Sequence, residues 1–192
     1  MKTIKLFIAV LILASFTRAS FAQDKSMGLY LTFNDYMNHR LSFETDGTSG
    51  NAIRLNSLLE TGNIVVWHDG KKQVLLKAEV FGYHANNEDY RFFNNTAYKI
   101  VDTKDFYIYS RTKLSQQGKG LKPMDAYYFS ARPNTLIEPL TVHNLELAYN
   151  KNLQFKYIIE GQFKADNDLI AYDTSIKEYK LKYLFEQAAA GK

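Results

Sequence analysis

Between Ile64 and Thr112 the apolar and aromatic runs of the chain are cut short by turn-forming groups, at His68-Asp69-Gly70, Asn86-Asn87-Glu88-Asp89, Asn94-Asn95 and Thr103-Lys104-Asp105. Runs this short cannot hold a helix long enough to bury a stripe, whereas they suit strands of about five or six residues joined by tight turns. Strands are predicted near 63–67, 72–77, 79–84, 90–93, 97–102 and 105–112, with a further one over Ala126–Ala131 between Pro123 and Pro133. Asp69-Gly70 is the strongest hairpin signal, because a type I′ turn requires positive φ at both central positions. Alternation is clearest at Phe106-Tyr107-Ile108-Tyr109-Ser110-Arg111, which sends Phe106 and Ile108 to one face and Tyr107, Tyr109 and Arg111 to the other. Two stretches, Thr45–Asn51 and the polar Ser115–Lys122, are predicted to be loops.

Helical signals flank this region. Thr32 with Asp35 three residues on forms a capping pair for a short helix through about His39, with Phe33, Tyr36 and Met37 as its buried stripe. After Pro139, Thr141 caps a pattern in which Val142, Leu145 and Tyr149 share a face. Leu153, Phe155, Tyr157 and Ile159 also alternate as a strand would, but Asn152 offers a cap and the segment is long for a strand, so a helix is expected. Lys180–Ala190 reads as a short terminal strand or helix that frays into its alanines. Together these signals predict a single α+β domain over residues 23–192. Its centre is an antiparallel meander of about five to seven strands, able to curl toward a barrel, with C-terminal helices packed on one face.

The first 22 residues stand apart. Lys2 and Lys5 precede the apolar run Leu6–Ala14, and Ser20-Phe21-Ala22 supplies small residues for cleavage, the pattern of a secretory signal peptide. Ser15, Thr17 and Arg18 interrupt the run well short of the roughly 20 apolar residues that a membrane span needs. With no cysteine in the chain, no lipid anchor at that residue is expected after cleavage, and neither disulfides nor thiolate zinc sites stabilise the fold. The expected location is therefore the periplasm or the cell exterior. The formal charge of +4 also changes meaning, because Lys2, Lys5 and Arg18 are three of the 24 Lys+Arg, while all 20 Asp+Glu lie beyond residue 22. The remaining chain carries about +1 and no basic cluster, so nucleic acid is not an expected partner.

Catalytic and metal motifs are not found in the sequence. The four histidines, His39, His68, His84 and His143, have no pair at i, i+2 or i+4, and Asp35 with His39 provides at most half a metal site. Asp166-Asn167-Asp168 opens like a calcium loop, but Ala171 stands at the turn-glycine position and Lys177 at the bidentate-glutamate position. There is no G-x-S-x-G elbow, and Gly118-Lys119 lacks the first glycine of a phosphate loop, where Lys113 stands. No catalytic residue, metal or cofactor is predicted. The remaining positive feature is the aromatic content of the strands, Trp67, Tyr83, Tyr90, Tyr107, Tyr109, Tyr127 and Tyr128. Aromatics are favoured in strands as core, but such a face also stacks on sugar rings or grips a peptide. Arg111, in line with Tyr107 and Tyr109, marks these three as the candidate ligand-binding residues, since an arginine on a covered face needs a partner. Asn94-Asn95-Thr96 fits a glycosylation acceptor.

The order of features is also familiar: an export signal, then GLYLTFNDYMNHRLSFE, VFGYHANNEDYRFFNNTAYKIVDT with FYIYSR, and later LTVHNLELAYN and DNDLIAYD. In this the chain resembles a family of small exported proteins of Bacteroidota-type bacteria. The resemblance implies an envelope or secreted location and transfers no site residues. The functional expectation is a non-enzymatic binding or interaction protein whose partner is an envelope or extracellular glycan, peptide or protein. The alternative is a hydrolase of envelope or extracellular polymers that works through carboxylates or a dispersed triad.

Overall fold

The structure, a computed structural model, describes residues 26–45, 50–56 and 61–190. The predicted signal peptide lies outside the described residues, as do the last two residues and parts of two connections. Thirteen strands are present among the described residues, and all their pairings are antiparallel.

Six consecutive strands form the meander: β6 (Gly82–Ala85), β7 (Glu88–Phe93), β8 (Thr96–Asp102), β9 (Tyr107–Gln117), β10 (Gly120–Ser130) and β11 (Glu138–Pro139). Beyond β6 the sheet is extended by β1 (Met27–Tyr30) and then β2 (Ser42–Thr45), making eight strands in the order β11-β10-β9-β8-β7-β6-β1-β2. The turn residues act as their φ preferences dictate. Asn86 and Asn87, then Asn94 and Asn95, adopt φ of 53°, 63°, 48° and 64°, and Asp69 and Gly70 adopt 50° and 72°. Barrel closure, one expectation from the sequence, does not occur. One edge is β11, two residues long with a proline that removes a ladder donor, and the other is β2, whose register with β1 is broken by an irregularity. Such edges cannot zip together.

Three further strands, β3 (Ala52–Arg54), β4 (Asn63–His68) and β5 (Lys71–Leu76), form a separate small sheet, and β12 (Tyr172–Asp173) pairs with β13 (Glu178–Tyr179). The helices are α1 (Phe33–Met37), α2 (Val142–Ala148), α3 (Leu153–Gln162) and α4 (Lys180–Ala190). Thr32 and Asp35 make the full reciprocal capping box of α1, and Thr141 and Asn152 accept from the amides of Asn144 and Phe155 to cap α2 and α3. Lys180–Ala190 is helical throughout, with Leu181 and Ala188 fully buried.

Both faces of the large sheet are covered. On one face, Phe106, Ile108 and Phe129 pack with Leu145, Phe155, Ile159 and Leu181 of α2, α3 and α4, as expected for helices on one side. Toward the other end of that face, Leu29, Tyr83 and Phe92 pack against Ile64 and Val66 of the small sheet. The opposite face is lined with tyrosine. Tyr30, Tyr107, Tyr109 and Tyr128 pack there with Tyr36 of α1 and Ile137 of the segment before β11. Gly82 allows β6 to cross β7 closely, because a Cβ at that position would lie 1.9 Å from the Tyr90 carbonyl oxygen. Among the described residues, no helix is long and apolar enough to cross a membrane.

The predicted loop Ser115–Lys122 is instead the end of a β9–β10 arm, with continuous pairing from Tyr107↔Ser130 to Gln117↔Gly120 and Gly118 at φ 64° in the turn. Local polarity signalled exposure correctly but missed the pairing, because a two-stranded arm needs no apolar face to complete its ladder. Pro123 fits within β10 because β11 pairs only with Tyr128 and Phe129, so the outer edge at Pro123 is open. The predicted strand 79–84 starts later, at Gly82, after a 3-10 turn over Lys77–Glu79.

Lys182 of α4 is fully buried beneath this sheet. Its Nζ donates to the carbonyls of Lys104 and Phe106, lies 3.3 Å from the Asp102 carboxylate, and sits 3.6 Å above the Phe106 ring. Burial pulls its pKa down from 10.5 to about 8, with the neighbouring carboxylates opposing. Between those values the unfolded chain binds a proton that the native state has released, so stability rises with pH in that window. Buried tyrosines act in the opposite sense. Burial and carboxylate neighbours raise Tyr30, Tyr36 and Tyr83 above 10.0, so the unfolded chain ionises first and stability falls above that pH.

Two measurements test this architecture. Urea midpoints should rise from about pH 8, peak below about pH 10 and then fall, with the rising limb absent in Lys182→Met. Deleting Lys113–Met124 and joining Thr112 to Asp125 through Asn-Gly should leave the melting temperature nearly unchanged, because the arm contributes no residue to the buried core clusters among the described residues. A large loss would mean that the arm supports the core.

Candidate functional site

At one end of the large sheet, the exit of β1, the 3-10 turn, the β7–β8 turn and the loop after β10 line an open cavity of about 570 Å³. That volume lies within the usual range for small-molecule sites. Its walls are mixed. Phe33, Phe81 and Phe93 give it an aromatic side, with Phe33 and Phe81 ring centroids 5.5 Å apart. Asn94, Asn95 and Asn134 bring amides to an exposed rim, and two buried cations, Lys77 and Arg91, are 3% and 6% exposed.

Strand alternation places Arg91. Tyr90 and Phe92 face the small sheet, so Arg91 points to the tyrosine face, opposite the side-chain-free Gly82. Its Nη1 donates to the Tyr109 hydroxyl at 2.9 Å and to Ser130 Oγ at 3.3 Å, and its Nη2 donates to the Thr135 carbonyl at 2.8 Å. The hydroxyl protons are accounted for. Ser130 donates to the Arg132 carbonyl at 2.9 Å, so Tyr109 donates to Ser130 at 2.9 Å, and both oxygens are left to accept from the guanidinium. The rings of Tyr109 and Phe93 lie 5.8 and 5.9 Å from the guanidinium carbon.

Every partner of Arg91 is therefore neutral. None of the ion pairs among the described residues includes it. Among the described residues the carboxylate on the cavity wall is the exposed Glu79. A buried cation without a counter-ion costs stability, so its positive charge remains to be neutralised from the cavity. Lys77 is held apart from it, with its Nζ donating to the Asn95 carbonyl at 3.1 Å and lying 5.7 Å from the Phe92 ring.

The three residues singled out from the sequence are placed differently from one another. Tyr107 and Tyr109 are 7% and 0% exposed. Their rings lie against each other at 6.1 Å, and their face is covered by α1 and the segment before β11 rather than by the C-terminal helices. Burial raises both hydroxyl pKa values, with Arg91 opposing. They offer no open stacking surface, and Tyr109 serves instead to hold Arg91. Arg111 is half-buried and lies beside a smaller pocket of about 300 Å³ with Tyr90, Lys99 and Asp125. Sequence reasoning passed over Arg91 because it lies inside a predicted strand. The available signal was a charged residue between Tyr90 and Phe92-Phe93, where both sheet faces have to be covered.

Acid–base groups elsewhere serve as framework. Asp89 accepts from the Tyr30 hydroxyl at 2.9 Å and contacts His84 Nδ1 at 2.7 Å, which resembles the orienting half of a triad, but no serine or threonine hydroxyl bonds to His84 among the described residues. Glu88 pairs with Lys99 and accepts from the Tyr90 hydroxyl at 2.7 Å, and these contacts hold its carboxyl below its usual range. No group of three or more His, Asp or Glu residues positioned for a metal occurs among the described residues.

If Arg91 is retained for a ligand rather than for folding, Arg91→Met should shift unfolding free energy by no more than ~1 kcal/mol, or raise it, because a buried charge is exchanged for an apolar stem of similar length. Urea denaturation measures this, and a loss of ~3 kcal/mol or more would make Arg91 a structural keystone. No protein-family model, no curated protein and no solved structure matches the chain.

Proposed function

We propose that this is an exported, non-enzymatic binding protein of the cell envelope or exterior, and that the cavity at Arg91 is where its ligand sits. The observation that carries the reading is the buried guanidinium on the cavity wall, held by three neutral acceptors and with no carboxylate partner among the described residues. Export is supported by the charged, apolar and small-residue order of the first 22 residues. A binding role is favoured over hydrolysis because the two buried charged side chains on the cavity wall are cations, with amides at its rim, and the exposed Glu79 is not matched there by a second carboxylate or a histidine among the described residues. The side chains around Arg91 are already held by hydrogen bonds and ring contacts, so the site is preorganised.

A thermal-shift screen of small envelope and extracellular compounds tests this, with Arg91→Met run in parallel. At least one compound should raise the melting temperature of the wild-type protein but not of the variant, and should be recovered unchanged after incubation. Recovery of a cleaved product would favour the hydrolase. Absence of any stabilising compound would remove the cavity as the binding site.

A further inference from the structure

The donor geometry of Arg91 narrows the ligand class. A guanidinium has five N–H donors. Nη1 is occupied by Tyr109 and Ser130, and one Nη2 hydrogen goes to Thr135. The Nε–H and one Nη2–H have no acceptor among the described residues, and Nε and Nη2 are the two nitrogens on the side of the guanidinium that meets both oxygens of a carboxylate side-on. Among the described residues the sealed polar atoms without a partner are Thr61 Oγ1 and His68 Nδ1, so Arg91 Nε keeps some accessible surface, and Arg91 lines the cavity.

The rest of the wall adds two requirements. Phe33 and Phe81, both half-buried, present aromatic surface that suits the C–H face of a ring. Asn94 and Asn134 at the rim each offer both donors and an acceptor, which suits hydroxyl groups that themselves donate and accept. An aliphatic or aromatic acid would satisfy the fork and leave these amides to water. A neutral sugar would satisfy the amides and leave the guanidinium uncompensated.

We infer that the ligand is an acidic sugar of the hexuronate type, with its ring carboxylate on the Nε–Nη2 fork of Arg91, its ring face on Phe33 and Phe81, and its hydroxyls on Asn94 and Asn134. This inference rests on the cavity being the ligand site, as proposed above.

The test is an NMR titration of the mature chain with sodium glucuronate, glucose and sodium acetate at matched ionic strength. It follows the Arg91 Nε–H and the side-chain amides of Asn94 and Asn134. Glucuronate should move all three sets of signals with an affinity in the ~millimolar range, as expected for a single sugar unit. Arg91→Met should weaken glucuronate by at least ~10-fold, and Arg91→Lys, which keeps the charge without the fork, should recover little of that loss. If acetate moves the Arg91 signal as strongly as glucuronate and the amides stay still, the site recognises carboxylate alone and the sugar assignment is overturned. If glucose moves the amides as strongly as glucuronate, the carboxylate assignment is overturned while the cavity remains a ligand site. If none of the three binds, the acidic-sugar inference fails, and the broader screen decides separately whether the cavity binds anything.

Discussion

The antiparallel register of β9 and β10 sets Ile108 opposite Phe129 on one face and Tyr109 opposite Tyr128 on the other. The two faces consequently differ in chemistry. The phenylalanine and isoleucine face needs apolar cover and receives three helices, whose Leu145, Phe155, Ile159 and Leu181 have no polar atoms to satisfy. The tyrosine face brings hydroxyl groups into the interior, and each has to find a partner. Tyr109 finds Ser130 and Arg91, and Tyr30 finds Asp89. The buried hydroxyl groups of the tyrosine face thus bring polar chemistry next to the cavity, while the helix-covered face holds the buried Lys182.

Buried cations illustrate how the same residue class serves different ends. Lys182 is closed in by two carbonyls, a carboxylate and a ring, and burial pulls its pKa down to about 8, so its contacts are complete within the protein. Arg40 on the surface pairs with Asp35, and with Thr32 it holds that carboxyl below its usual range and secures the start of α1. Arg91 has neither arrangement. Its neutral partners fix where the guanidinium sits without cancelling its charge, which positions a recognition group without neutralising it.

Much of the fold was legible locally. The Thr32/Asp35 box, the caps at Thr141 and Asn152, and the Asp69-Gly70 and double-asparagine turns each act through backbone groups within a few residues of themselves, so a short window of sequence contains the whole interaction. What failed depended on distant partners. The β9–β10 arm needed a second strand to complete its ladder, and the open edges of the sheet reflect how β11 and β2 end rather than how the central strands pair. Tyr107 and Tyr109 were correctly grouped on one face, but alternation cannot say what lies over that face. Arg91 was not found, because its partners Tyr109, Ser130 and Thr135 lie 18, 39 and 44 residues away.

By itself the sequence determined an antiparallel α+β fold without cysteine, which residues share a strand face, and where the helices begin. Periodicity, φ preference and capping are properties of neighbouring residues, and they leave a mark in the chain order. Only the tertiary structure decided that the tyrosine face is closed by α1 and the segment before β11, and that Arg91 is buried beside a cavity with neutral partners alone. Burial and charge compensation are sums over everything that surrounds a group, and the surroundings of Arg91 come from four separate parts of the chain.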